Sequence, residues 1–162
     1  MKKIIVGITG HRDIVVTKEL KKNIKKLFID LSNKSEEVVL LSPLADGADR
    51  LVADIYLEVF KEKAKLSVPM PFDKTRYMED FDSKSKEDFE AYLKIADDVI
   101  EVENIQGCNY KSVGIYVADE CDILLALWDG TFNNKSGGTG DIVNYAKAEG
   151  KEIVHFLCER KK

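Results

Sequence analysis

Residues 9–13 read TGHRD, which sets a glycine, a titratable imidazole and a fixed positive charge side by side. Gly10 lets a backbone pass close to a ligand, and His11 with Arg12 suits an anion, although a plain glycine turn reads the same way. Residues 43–55, PLADGADRLVADI, place Asp46 and Gly47 where a helix can start. The unpaired N–H groups and positive dipole end of such a helix attract negative charge, and Arg50 lies one turn further in. Asp46 reads equally as an N-cap or as a ligand contact, while Asp49 can hold Arg50 or Arg12 in position. A third stretch, KSGGTGDIVNYAKAEGK at 135–151, opens with Gly137, Gly138, Thr139 and Gly140 before helical spacing begins. Successive backbone N–H groups there could form an anion-binding concavity, yet Asp141 would repel an anion while favouring the helix start. The stretch is neither a Walker A loop, since no Lys-Ser/Thr pair follows, nor a GxGxxG fingerprint.

Proton-transfer chemistry needs a carboxyl or an imidazole, and Asp129, Glu120 and His11 are the candidates. Asp129, in WDG, could accept ribose hydroxyls, act as a base, or be only a turn aspartate. Trp128, Tyr77 and Phe81 are candidates to stack on a base, with Phe81 also reading as core. His155 lies inside an apolar run and reads as a sheet histidine.

These loops need elements to hold them. Apolar runs of strand length alternate with helix-period segments, which predicts strands at 3–9, 38–43, 65–70, 98–102, 123–128 and 152–157. Helices are expected at 17–33, 46–64, 73–80, 85–96, 110–120 and 139–149. The strand cores IIVGI, VVLL, ILLAL and IVHFL are continuous apolar runs, as in parallel sheets covered on both faces. Thr17 can cap the first helix, Ser85 with Asp88 resembles a weak capping box, and Gly150 suits a helix end. The fold class is α/β: a three-layer, mostly parallel, doubly wound sheet of about six strands, with ligands expected beyond the carboxyl ends of its strands.

The chain has 162 residues, 44% hydrophobic and 33% charged, which suits one domain spanning 1–162. No apolar run nears the roughly 20 residues of a membrane span, so a membrane partner is not expected. Three cysteines without CxxC spacing and two distant histidines argue against a metal site and for the reducing cytoplasm. No cofactor is indicated. A net charge of −4 argues against nucleic acid, and the sequence shows no basic stripe with interleaved aromatics. The lysines between 21 and 26 alternate with apolar residues and read as the solvated face of a helix.

GITGHRD, LADGADRLVA, PMPFDKTRYMEDF and DILLALWDG followed by SGGTGDIV, in this order, resemble the SLOG superfamily. That Rossmann-like fold is shared by DNA-processing protein A and the LOG-type phosphoribohydrolases. The resemblance implies a nucleotide or nucleotide-derived ligand across the glycine-rich loops, regulatory or sensing in role, and leaves room for a homodimer. SGGTGDIV is similar to the PGGxGTxxE loop of the LOG enzymes, with Ser136, Asp141 and Asn144 where that loop has proline, threonine and glutamate. The partner arginine is also missing: no arginine lies between Arg76 and Arg160, and Val113 stands near its place. Asparagine cannot exchange a proton, so the resemblance points to binding first. Cleavage of a nucleoside monophosphate's N-glycosidic bond with an atypical acid or base is the alternative, and a DNA-binding or protein-interaction module is a third.

Overall fold

The computed structural model describes residues 2–105, 107–133 and 135–162. Six strands form one parallel sheet: β1 (Lys3–Gly10), β2 (Glu37–Leu41), β3 (Lys65–Met70), β4 (Asp98–Glu101), β5 (Ile123–Trp128) and β6 (Glu152–Leu157), in the order β4-β3-β2-β1-β5-β6. Between them run α1 (Lys18–Lys34), α2 (Ala48–Phe60), the short α3 (Lys74–Met78), α4 (Ser83–Ile95), α5 (Asn109–Glu120) and α6 (Thr139–Ala148). The expected alternation of elements is therefore present in full among the described residues.

Strand order explains the layers. β1 to β4 advance in one direction across the sheet, and the chain then returns to set β5 against the other side of β1. Right-handed crossovers running in opposite directions must leave their helices on opposite faces. The buried residues divide accordingly. Ile24 and Phe28 of α1, Val52 and Tyr56 of α2 and Phe89 of α4 share one core with alternate residues of β1 to β3. Val113 and Val117 of α5 and Ile142 of α6 pack with Leu124 on the other side. All six residues of β5 are buried, which is why its sequence shows no polar alternation. Among the described residues no helix is long and apolar enough to cross a membrane.

Helix boundaries follow local chemistry, with two departures from expectation. The Thr17 hydroxyl oxygen accepts from the Leu20 N–H at 3.1 Å and starts α1. Gly150 adopts φ +72° just after α6, as a helix-ending glycine does. Ser85, by contrast, is not a cap. Asp82 caps α4 and accepts the Ser85 N–H at 2.8 Å, which leaves the Ser85 hydroxyl free for a buried contact with α2. The second departure is α2, which begins at Ala48 rather than at Asp46, preceded by Gly47 at φ +84°.

Candidate functional site at the sheet switch point

The chain leaves β1 toward one face and β5 toward the other, so their carboxyl ends open a crevice. It measures about 580 Å³. Its floor is Ile8 to Gly10, one wall is Pro43, Ala45, Asp49 and Tyr77, and the opposite wall is Tyr110, Val113, Gly114 and Val117 of α5. The loop that follows β5 closes it with Thr131, Asn133 and residues 135–140, and Arg160 stands at the rim.

Of the residues singled out in the sequence, Gly10, His11, Arg12, Gly137, Gly138, Thr139 and Gly140 line this cleft. Gly10 owes its smallness to packing rather than to a ligand. A Cβ there would lie 2.4 Å from the Ala48 Cβ and 3.0 Å from the Leu127 carbonyl oxygen, so the glycine is what lets α2 close on β1. His11 is buried between the two loops: its carbonyl accepts the Ala48 N–H at 3.0 Å, and its Nε2 lies 3.2 Å from the Asp129 N–H and 3.3 Å from Asp129 Oδ1. A neutral ring protonated on Nδ1 accepts from that N–H, whereas a ring protonated on Nε2 donates to the carboxylate.

Arg12 is exposed at the mouth, with its guanidinium carbon 5.7 Å from the centre of the Tyr110 ring. No carboxylate lies within ion-pairing distance of it among the described residues. Arg160, in contrast, is held by Asp13, with Nε 2.9 Å from one carboxylate oxygen and 3.2 Å from the other, and this pair lowers the Asp13 pKa. The glycine loop is partly self-satisfied. Asp141 accepts the Gly137 N–H at 2.8 Å and pairs with Lys111 at 3.3 Å, which occupies one of the donors a bound anion would use.

Other expected site residues lie elsewhere. Asp46, Gly47 and Arg50 do not line the cleft. Arg50 is buried and donates from Nε to the Leu44 carbonyl at 2.9 Å and from Nη1 to the Ser85 carbonyl and hydroxyl at 3.0 and 2.7 Å. Asp46 completes the cluster by accepting from the Ser85 hydroxyl at 2.5 Å and pairing with Arg50 at 3.3 Å. The Phe81 ring centre is 4.6 Å from the guanidinium carbon, and Phe81 is core. Leu44 takes φ +58°, an unfavourable value for a branched side chain, and the Arg50 bond to its carbonyl holds it there. Arg50 therefore shapes the wall from behind. Arg50→Met is expected to cost about 3 kcal/mol of stability, because a buried carbonyl and hydroxyl lose a charged donor; urea unfolding measures it, and a loss below about 1 kcal/mol would contradict this role.

Glu120 ends α5, just before β5 begins, at the amino edge of the sheet, and so stands at the end opposite the cleft. Trp128 is buried, donates its indole N–H to the Thr131 carbonyl at 2.9 Å, and cannot stack on a ligand. Tyr77 is also buried, with its hydroxyl donating to the Pro43 carbonyl at 2.9 Å. Asn144 is exposed on α6 and absent from the cleft lining, so a carboxylate at that position would not face the crevice either. His155 is a strand histidine, its Nε2 2.8 Å from the Trp128 carbonyl oxygen.

Two carboxyls matter electrostatically. Asp129 accepts from the Thr131 N–H at 3.0 Å and hydroxyl at 2.8 Å, and these bonds, the N–H first, hold its pKa below the usual range. Asp49 is the opposite case. It is buried in the cleft wall, and burial pushes its pKa up to about 7 against the opposing hydrogen bond from the Ala45 N–H and the charges of Arg12 and Arg50. Sequence reading had assigned Asp49 only a positioning role. Its burial could not be seen, because the residues that cover it come from other loops. Among the described residues no cluster of His, Cys, Asp or Glu is arranged to hold a metal ion.

The fold and cleft define an α/β protein with an all-parallel sheet and a ligand-sized crevice at its switch point. The fold is related to that of DNA processing protein A from Helicobacter pylori, a protein described as binding single-stranded DNA, with a TM-score of 0.60 and 18% sequence identity over 94% of this chain. The chain spans 64% of that protein's chain, and at this identity the likeness is one of fold alone. No protein-family model matches the sequence, and a search of curated proteins finds no match.

Proposed function

We propose that the cleft binds a nucleotide or nucleotide-derived small molecule, in the manner the SLOG resemblance implies, and that the chain acts as one regulatory or sensing domain. The observation that carries this is Arg12, an exposed guanidinium at the mouth of a 580 Å³ crevice with no carboxylate partner among the described residues. A fixed, unpaired guanidinium is matched to phosphate oxygens. Exposed Lys135 adds a second cation from the facing loop. Asp129, expected from the sequence to take ribose hydroxyls, is not among the residues that line the cleft, and its carboxylate is held by Thr131.

The N-glycosidase alternative is less well supported. Of its expected acid or base groups, Asp129 is held ionised and Glu120 is at the opposite edge, which leaves His11 and the buried Asp49 in the cleft lining to carry a proton. A second reading, single-stranded nucleic acid, is favoured by the binding described for the fold relative and opposed by the net charge of −4. Fluorescence anisotropy of a labelled single strand at low salt separates the two, since the nucleotide reading expects micromolar strand to leave the signal unchanged.

A ligand that binds only the folded chain stabilises it by about 2.7 kcal/mol at a hundredfold excess over its dissociation constant. Thermal unfolding with nucleoside monophosphates, diphosphates and ADP-ribose is therefore expected to show a rise of roughly 5–10 °C for at least one. Arg12→Met is expected to weaken that ligand by at least about tenfold, since a charged hydrogen bond is lost at the surface of the cleft. Absence of any shift at millimolar concentrations would exclude the reading.

A further inference from the structure

Outward from the mouth of the cleft, four side chains from three segments form a continuous row. The Arg12 guanidinium carbon lies 5.7 Å from the centre of the Tyr110 ring, that ring meets Phe72 edge to face at 5.5 Å, and the Arg76 guanidinium carbon lies 4.3 Å from the Phe72 centre. Asp80 sets the row's geometry: it accepts from the Tyr110 hydroxyl at 2.6 Å and pairs with Arg76 at 3.4 Å. Both arginines are exposed and both rings are half-buried. Two aromatic rings from separate segments are thus brought together in space between two arginines.

We propose that this row is a stacking subsite for a second planar ring, so that the ligand of the cleft is a dinucleotide with one base inside and the other outside it; this rests on the nucleotide reading of the cleft. Two arguments favour it. Guanidinium planes and aromatic rings both stack on nucleobases, and neither demands a particular base. Arg76 is paired with Asp80 whereas Arg12 has no carboxylate within ion-pairing distance among the described residues, which leaves a guanidinium at the cleft end of the row for a phosphate linkage. A purely structural clasp between α3 and α5 would need the Tyr110–Asp80 bond but no exposed arginine at either end.

The test is calorimetric titration with AMP and with 5′-phosphorylated diadenylate, on the wild-type chain and on Arg76→Gln, with thermal midpoints checking that the variant stays folded. Wild type is expected to bind the dinucleotide about tenfold tighter than AMP, and Arg76→Gln to bring that ratio toward one. If AMP binds and the dinucleotide gains nothing, or the ratio survives the substitution, the subsite is overturned while the cleft reading stands. Binding of neither compound removes both. A ten-nucleotide single strand binding another tenfold tighter would overturn the two-ring limit and make the row part of a strand-binding face.

Discussion

Gly47→Ala is expected to lower the stability of this chain by about 3 kcal/mol and its thermal midpoint by roughly 6–12 °C. Two independent costs meet at this position. Gly47 has φ +84° and ψ −119°, a backbone region open in practice only to glycine. The chain of the β1–α1 loop also crosses directly over it. A Cβ would sit 2.3 Å from the Arg12 carbonyl oxygen, 2.5 Å from its carbonyl carbon and 2.7 Å from its Cα. Those are backbone atoms and cannot swing aside as a side-chain end could. The Ala48 N–H bond to the His11 carbonyl fixes the same crossing, so the clash would push His11 and Arg12 away from the cleft. Gly150→Ala is the matched control, because Gly150 has φ +72° with nothing within 4 Å of an added Cβ, and it should cost only about 1 kcal/mol. Urea unfolding of both variants decides the matter, and equal losses would mean that the crossing contributes nothing.

The second large effect is one of pH. The Asp49 carboxyl has a pKa of about 7 in the folded chain, against about 3.9 when unfolded. Between those values the folded state holds a proton that the unfolded state has released, so the Asp49 contribution to stability is present at low pH and is lost as pH rises through about 7. Asp49→Asn removes the ionisation while its side-chain carbonyl can still accept the Ala45 N–H. The variant is therefore expected to gain about 2.6 kcal/mol on wild type between pH 5 and pH 8. The other ionisable groups are common to both chains and cancel in the difference. Unfolding midpoints at the two pH values provide the measurement, and a difference that does not change with pH would rule out a neutral Asp49. A cleft wall whose carboxyl is only about half ionised at neutral pH also repels a phosphate less than a fully ionised carboxylate would.

The order and type of the elements were determined by the sequence alone, because hydrophobic period is local and survives any arrangement in space. Continuous runs such as ILLALW can only be covered on both faces, and 3.6-residue stripes such as Leu20, Ile24, Phe28 and Leu31 need one sheet face. The same local chemistry marked the loops after β1 and β5 as the ones to watch. Tertiary structure decided which side chains share the cleft. Asp46 and Arg50 read as ligand contacts because their neighbourhood looks like an anion-binding helix start, yet Ser85, some 35 residues away, turns Arg50 inward. Ser85 itself looked like a cap until Asp82 took that place three residues earlier. Glu120 seemed close to β5 in the chain, but a helix must end at the amino edge before the strand begins. Of the row from Arg12 to Arg76, sequence shows only Phe72 and Arg76 as neighbours, four residues apart, while Arg12 and Tyr110 come from distant segments that only the fold brings to them. Burial did the rest: whether Asp49 keeps its proton depends on what covers it, and that is a property of the folded chain.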